Sequence, residues 1–435
     1  MPENTVRPRR VGYHTLGCKV NQYDTEAMRE KFEAAGYETV PFDGEADVYV
    51  INTCTVTGTG DHKSLQLIRR CHRQNPQADI VVCGCLAQRD AKGVALPGVR
   101  LVLGTQRRGE VVSLLEDAVQ KDIQRLAVDS LKAVPFEPLT IDANTEHTRA
   151  TLKIQEGCNR YCTYCIIPYV RGPIRSRPLE EIRSEAGRLA DAGYRELVLT
   201  GIHLTSYGLE RRDGSTLLDA IAAAQAPEGI GRVRLGSLEP VVITPEFVSG
   251  IAKMKKVCPQ FHLALQSGSD AILKKMHRRY TAEEFLAACR LLRDTFPECT
   301  LTTDVMTGFP GETEENFQET MQVCETAGFA RMHVFPYSER TGTPAAVMPD
   351  SVPVAEREER ARRLIRLGKM LEQKAKESFV GKQVEILVEE QDAENRGTGY
   401  TEGYLRACVP DAPNGEIVSG CVEHVEGDLL ICRKI

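Results

Sequence analysis

Residues 151–165 read Thr151-Leu152-Lys153-Ile154-Gln155-Glu156-Gly157-Cys158-Asn159-Arg160-Tyr161-Cys162-Thr163-Tyr164-Cys165, a short strand pattern running directly into a C-x3-C-x2-C triplet. Three thiolates this close together can wrap one iron–sulfur cubane, a group that thiolate suits. A [4Fe–4S] cubane held by only three cysteines keeps one iron open for a substrate or cofactor. A closed four-cysteine electron-transfer site has no such opening. Zinc also takes clustered cysteines, but its sites usually draw four ligands in two pairs. In β/α barrels the working residues stand at the carboxyl ends of strands, which is where this triplet falls.

Outward from the triplet, a strand–helix unit recurs between residues 150 and 340. The candidate strands are Thr151–Gln155, Glu196–Gly201, Arg232–Ser237, His262–Gln266, Leu301–Met306 and Arg331–Phe335. Helical stretches lie between them near 178–192, 215–224, 245–255, 281–294 and 313–327. Pro178 and Pro245 suit first turns of helices, and Thr281 followed by Glu284 is a capping-box signature. Six units are too few for a full eight-fold barrel and match an open, partial one.

The first 120 residues alternate apolar runs (Val11–Leu16, Asp47–Asn52, Asp79–Cys83, Val99–Gly104) with helix-like stretches such as Asp24–Ala35 and Asp61–Gln74. That alternation predicts a parallel α/β sheet whose ligands gather past the carboxyl edge. Three more cysteines fall at such ends: Cys18, Cys54 and Cys85, each just after a run. Three thiolates there can hold a second cubane, whereas a single such cysteine would read as packing. Cys83 competes with Cys85 but lies inside its apolar run and reads as core. Cys71, Cys258, Cys289, Cys299, Cys324, Cys408, Cys421 and Cys432 show no convergent pattern and read as packing residues.

The expected domains are 1–120, a linker over 121–147 containing Pro135 and Pro138, a barrel over 148–375 and a small β-barrel over 376–435. A long polar helix near 354–379 leads into the last of these. Its short runs, Gln383–Glu389 and Tyr404–Val409 among them, are broken by frequent glycines, which suits a small closed barrel.

Fifteen cysteines in 435 residues, with no apolar stretch in the first ten, predict reduced thiols and a cytoplasmic protein. No apolar run reaches the roughly 18 residues of a membrane span. Net charge is −6, so no global basic field announces nucleic acid. Phosphate contacts require only a local basic track, which Arg171, Arg175 and Arg177 and the cluster along residues 357–382 could supply. The second cluster is interleaved with glutamates, which equally suits a solvated helix.

Taken together, these motifs resemble the radical S-adenosylmethionine (SAM) methylthiotransferases. The likeness rests on the cysteine triplet with Ile166-Ile167-Pro168, on Gly17-Cys18, Asn52-Thr53-Cys54-Thr55-Val56 and Gly84-Cys85, and on Arg171-Gly172 with Arg175-Ser176-Arg177. It continues through Leu265-Gln266-Ser267-Gly268-Ser269, Thr307-Gly308-Phe309-Pro310-Gly311-Glu312-Thr313 and Phe335-Pro336-Tyr337-Ser338. It covers essentially the whole chain. The tail, with Gly399-Tyr400-Thr401-Glu402-Gly403-Tyr404, is similar to the RNA-binding TRAM barrel. The implied fold is α/β: an N-terminal doubly wound parallel-sheet domain, a central partial (β/α)6 radical SAM barrel and a C-terminal TRAM barrel.

The resemblance also implies a chemistry. A [4Fe–4S] cluster on Cys158, Cys162 and Cys165 would chelate SAM and cleave it to methionine and a deoxyadenosyl radical, which takes hydrogen from carbon. A second [4Fe–4S] cluster on Cys18, Cys54 and Cys85 would hold the sulfur, and a second SAM would supply the methyl group. Tyr164 resembles the aromatic residue beside the adenine of SAM. Further candidate contacts fall at strand ends or turns: Gly201, Glu239, Gln266, Ser267, Asp304, Gly308 and Gly311. His203 reads as structural, and no acid–base residue is nominated.

The family's substrates divide among two modified adenosines in tRNA and an aspartate of a ribosomal protein. Residues 51–64, 149–156 and 334–344 resemble the branch acting on threonylcarbamoyladenosine at position 37, in the tRNA anticodon stem-loop. The rivals are isopentenyladenosine, the protein aspartate, or a non-catalytic RNA-binding iron–sulfur protein. Implied partners are tRNA, an electron donor such as flavodoxin or ferredoxin, and a sulfur donor, with no membrane.

Overall fold

The computed structural model describes residues 7–132, 134–142 and 148–435. Residues 1–6, and positions 133 and 143–147 of the expected linker, lie outside the described residues.

The first sheet has six strands: β1 (Arg10–Thr15), β2 (Glu38–Val40), β3 (Val48–Thr53), β4 (Asp79–Gly84), β5 (Val99–Leu103) and β6 (Arg125–Ala127). All run parallel in the order β2-β1-β3-β4-β5-β6. Strand β3, Val-Tyr-Val-Ile-Asn-Thr, is buried along its whole length. Val48 and Val50 enter one core while Tyr49 and Ile51 enter the other, as a period of two requires when both faces are covered. Chain order reverses between β1 and β3, and the crevice past the carboxyl ends at such a switch point is where open α/β sheets bind ligands. The linker expected over 121–147 contributes β6 to this sheet, while its Leu139 and Ile141 join the core of the next unit. Strands β2 and β6 have three residues each, too few to show a period.

The central unit contains β7 (Arg149–Glu156), β8 (Arg175–Ser176), β9 (Glu196–Gly201), β10 (Arg232–Leu235), β11 (Ser237–Leu238), β12 (Gln260–Leu263), β13 (Thr300–Thr307) and β14 (Arg331–Pro336). They form two four-stranded sheets, β10-β9-β7-β8 and β11-β12-β13-β14. The strand expected over Arg232–Ser237 is interrupted at Gly236, so its first part pairs with β9 and its second with β12. Apart from the antiparallel β8, six parallel strand positions follow one another in chain order, giving the open partial barrel. The capping box at Thr281 and Glu284 forms, whereas Pro178 stands at the N-cap of helix Leu179–Asp191, one residue before its first turn.

Helix Val354–Glu377 buries Leu364, Leu367 and Leu371 against the barrel. It leads to β15 (Gln383–Gln391), β16 (Arg396–Thr401), β17 (Arg406–Pro410), β18 (Ile417–Glu426) and β19 (Leu429–Lys434), a closed five-stranded barrel. This small barrel docks on residues that begin the central strands. Arg232 Nη2 donates to the Tyr400 carbonyl at 2.8 Å, Arg234 Nη1 to the Glu402 carbonyl at 2.8 Å, and Thr300 Oγ1 to the Gly403 carbonyl at 2.5 Å. Among the described residues no helix is long and apolar enough to cross a membrane.

Candidate active site

The six cysteines singled out from the sequence stand where strands end. Three of them share one device: Gly17, Gly84 and Gly157 each precede a cysteine and have φ of +103°, +93° and +72°. Positive φ turns the chain off the strand end at little cost only for glycine. At Gly157 a Cβ would also come within 1.9 Å of the Pro173 carbonyl oxygen, and at Gly84 within 2.4 Å of Asn52 Oδ1. A side chain at either position would force the following cysteine out of place.

In the barrel loop, Cys158, Cys162 and Cys165 form one electrostatic group, each thiol acting on its neighbours. The Arg160 backbone N–H donates to Cys158 Sγ at 3.4 Å, and Arg278 Nη1 lies 3.4 Å from Cys162 Sγ. Burial pushes the Cys158 thiol up to about 11 and the Cys165 thiol up to about 12. Without a metal these thiols hold their protons; a metal that replaces the protons gains buried thiolate ligands already supplied with N–H donors. Glu239 bridges two arginines and a histidine around the loop, 2.8 Å from Arg160 Nη2, 2.9 Å from Arg278 Nη1 and 3.2 Å from His203 Nε2. Burial pushes its carboxyl up, but the His203 hydrogen bond and the two arginines outweigh that and hold it at about 2.

The second trio is assembled from three loops at the first sheet's carboxyl edge, around its switch point. Cys18 is exposed, Cys54 half-buried and Cys85 buried. A Cβ on Gly17 would stand 3.0 Å from Cys54 Sγ, so the loop carrying Cys18 lies directly on Cys54. The Val56 N–H donates to Cys54 Sγ at 3.5 Å. Cys85 receives Arg171 Nε at 3.2 Å and packs with Ile166 and Val170, which directly follow the barrel triplet. Burial pushes its thiol up to about 11, with Arg171 pulling the other way. Cys83 points into the core instead, among Val11, Val50 and Leu101. Both trios therefore offer three thiols, partial burial and N–H donors, a donor set that fits an iron–sulfur cluster. Among the described residues no three His, Cys, Asp or Glu side chains close round a single metal ion.

Arg171 is the functional residue that sequence reasoning misplaced. Expected on an RNA-facing track with Arg175 and Arg177, it is fully buried, as are the other two to within a few per cent. Its Nη1 lies 3.1 Å from Asp24 Oδ2 and 3.0 Å from Glu156 Oε2, and its Nη2 bonds Asn21. Arg108 and Lys153 also pair with Asp24. The guanidinium thus ties the first domain's helix Lys19–Ala34, strand β7 and Cys85 together. Arg177 pairs with Glu185, to which Tyr23 of the same helix donates at 2.9 Å. Along 357–382, Arg357, Arg360 and Lys376 are buried in ion pairs or carbonyl contacts, leaving Arg362, Arg366, Lys369 and Lys374 exposed.

The remaining candidates divide. Tyr164 is half-buried beside the triplet, its ring edge-on to Phe309 at 6.5 Å. Asp304 lies on β13, 3.3 Å from His262 Nε2. Gln266 holds φ +64° and bridges to Val305. At Gly201 the space of a Cβ is taken by Gln155 at 2.8 Å; at Gly308 it is taken by Arg357 and at Gly311 by Lys275. Ser267 is fully buried and spends its hydroxyl on Thr320 and on the Ser269 N–H. Tyr400 and Tyr404 of the tail motif stack at 4.7 Å and cover the guanidinium groups of Arg149 and Arg234. They serve the docking of the small barrel.

Residues 152–324 match the Radical SAM superfamily and residues 10–104 the Uncharacterized protein family UPF0004. The threonylcarbamoyladenosine tRNA methylthiotransferase MtaB of Bacillus subtilis (strain 168) is 45% identical over 91% of this chain and 89% of its own. The protein of that name from Aquifex aeolicus is 39% identical, over 91% and 95%. A tRNA-2-methylthio-N(6)-dimethylallyladenosine synthase from Clavibacter sepedonicus is 37% identical, over 99% and 81%. Among solved structures, the radical S-adenosylmethionine methyltransferase TsrM of Kitasatospora setae, with cobalamin and a [4Fe-4S] cluster bound, aligns with TM-score 0.57. It covers 78% of this chain and 77% of its own at 15% identity, a likeness of fold. With its two cysteine trios, its doubly wound sheet and open barrel, and this extent of identity, the chain belongs to the radical SAM methylthiotransferase family.

Proposed function

We propose that this enzyme methylthiolates C2 of N6-threonylcarbamoyladenosine at position 37 of tRNA. Cys158, Cys162 and Cys165 hold one [4Fe–4S] cluster, and Cys18, Cys54 and Cys85 hold a second. When bound, these clusters and SAM supply the radical, the sulfur and the methyl group. The protein's part is to position them. Arg278 and Arg160 direct N–H groups at the barrel sulfurs, and Glu239 fixes both cations; Tyr164, Gln266 and Asp304 border the cofactor side. Arg171 fixes Cys85 against the barrel, beside Ile166 and Val170 of the barrel loop. An electron donor such as flavodoxin or ferredoxin and a sulfur donor complete the cycle in the cytoplasm.

The observation that carries the nucleoside assignment is a contact between two of the branch-like stretches. Arg340 Nη2 donates to Thr55 Oγ1 at 2.8 Å and to Asp61 Oδ2 at 2.7 Å, and the Gly58 N–H meets Ser338 Oγ at 3.3 Å. These residues lie next to Cys54, where a bulky substituent on the adenosine would have to fit. Relatives named for threonylcarbamoyladenosine are 45%, 39% and 35% identical and the dimethylallyladenosine synthases 36–38%, so the 45% relative is the one that supports the same reading.

The test is anaerobic reconstitution with iron and sulfide, then incubation with SAM, dithionite and tRNA and mass spectrometry of the nucleosides. A gain of S plus CH2 on threonylcarbamoyladenosine alone is expected. The same gain on isopentenyladenosine, or only on a ribosomal protein, would overturn the assignment.

A further inference from the structure

A cleft of about 940 Å3 is lined by none of the six cysteines. It lies on the first domain between the end of β1 and helix Gly58–Gln74. It is lined by Lys63, Arg69, Arg70, Arg73, His14 and His72, with no acidic residue among the described lining. Lys63, Gln66, Arg70 and Arg73 follow one another at helical spacing and share a face. Arg70 is paired with Asp43. Lys63, Arg69 and Arg73 are exposed, and among the described residues they make no ion pair. The helix's one acid, Asp61, is already engaged by Arg89 and Arg340. In a chain of net charge −6, an uncompensated positive row of this kind stands out.

We infer that this cleft binds the phosphate backbone of the substrate tRNA, an inference that rests on the function proposed above. Location is the first reason. Leu16, in the cleft wall, stands just before Cys18, and the basic helix starts just after Cys54. A nucleoside brought to that trio must lead its flanking backbone across this face. The second reason is charge: from Lys63 to Arg73 the helix rises about 15 Å, a length over which a nucleic-acid strand carries roughly four phosphates. The long helix Val354–Glu377 differs, because Glu359 already pairs with Arg362 and Arg366.

The test measures binding of reconstituted enzyme to tRNA lacking the methylthio group, by anisotropy across a salt series. The variants are K63Q/R69Q/R73Q, the charge-keeping K63R/R69K/R73K, and a comparison triple R362Q/R366Q/K369Q; thermal melting checks that each is folded. Each lost phosphate contact lowers the slope of log K against log salt by about 0.7–0.9. The cleft triple should therefore lose about 2–3 from the slope and on the order of 100-fold in affinity at 0.1 M salt. The charge-keeping triple should retain both. An unchanged slope in the cleft triple while wild-type enzyme binds tRNA, or a loss confined to the comparison triple, would overturn the cleft assignment alone. Absence of tRNA binding by wild-type enzyme would overturn this inference and the function it rests on.

Discussion

The two cysteine trios do similar chemistry with opposite architectures. The barrel trio comes from one loop, and its donors Arg160 and Arg278, with the Glu239 carboxylate that pairs with both, belong to the same domain. The first-domain trio comes from three loops separated by whole strand–helix units, and its most buried member, Cys85, takes its donor from across the domain boundary. A local site needs only its strand and turn. A distributed one needs the finished sheet and the docked barrel. The second sulfur site is thus coupled to domain packing directly, by Arg171 on Cys85, and the first only at one remove, through Glu156 two residues before Cys158.

Breaking that coupling should produce the largest stability effect. Asp24, Glu156 and Glu137 face Arg108, Lys153 and Arg171 in a balanced buried network. Arg171→Gln leaves one buried negative charge uncompensated, which costs about 3–5 kcal/mol in comparable cases. Denaturant unfolding should show this loss, together with a shifted midpoint potential for the second cluster and an unshifted one for the first. Equal shifts in both would mean that Arg171 acts through general loosening.

An acid titration sharpens the contrast at the other end of the barrel. Glu196, buried between Arg232 and Arg234 at the junction with the small C-terminal barrel, is pushed up by burial but held by these arginines at about 2, against 4.5 for a free carboxyl. A depressed folded value contributes stability that is complete above the unfolded pKa and disappears as pH falls from about 4.5 towards 2. About 3 kcal/mol should be lost over that window. Glu196→Gln, followed by unfolding at several pH values, should flatten this part of the profile.

The smallest effect separates neighbouring cysteines. Cys83→Ala removes a buried sulfur from an apolar core and should cost about 1 kcal/mol while leaving iron content unchanged. Loss of iron in that variant would reassign the ligand from Cys85 to Cys83.

The contrast also explains what could be read from the sequence. Three ligands within one loop leave a local signature, so the barrel site is visible from spacing alone. The second trio is visible only as a repeated position, a cysteine after each of three strands. The role of Arg171 leaves no local trace, because its partners Asp24 and Cys85 lie far away in the chain; side by side with Arg175 and Arg177 it looks like a basic track. Gly308 and Gly311 have positive φ, as their sequence context suggests, but Arg357 and Lys275 occupy the space they free, a tertiary fact. The strand order of the barrel was legible from its repeated units; edge strands of three residues were not.

The most direct measurement of the two-site account compares Cys158→Ala with Cys85→Ala after anaerobic reconstitution, reading iron, deoxyadenosine and methylthiolated nucleoside together. Each variant should hold about four irons where the wild type holds about eight. Cys158→Ala should form neither product, and Cys85→Ala should still cleave SAM to deoxyadenosine without methylthiolating tRNA. Full iron content in Cys85→Ala, or unimpaired methylthiolation by it, would contradict the account.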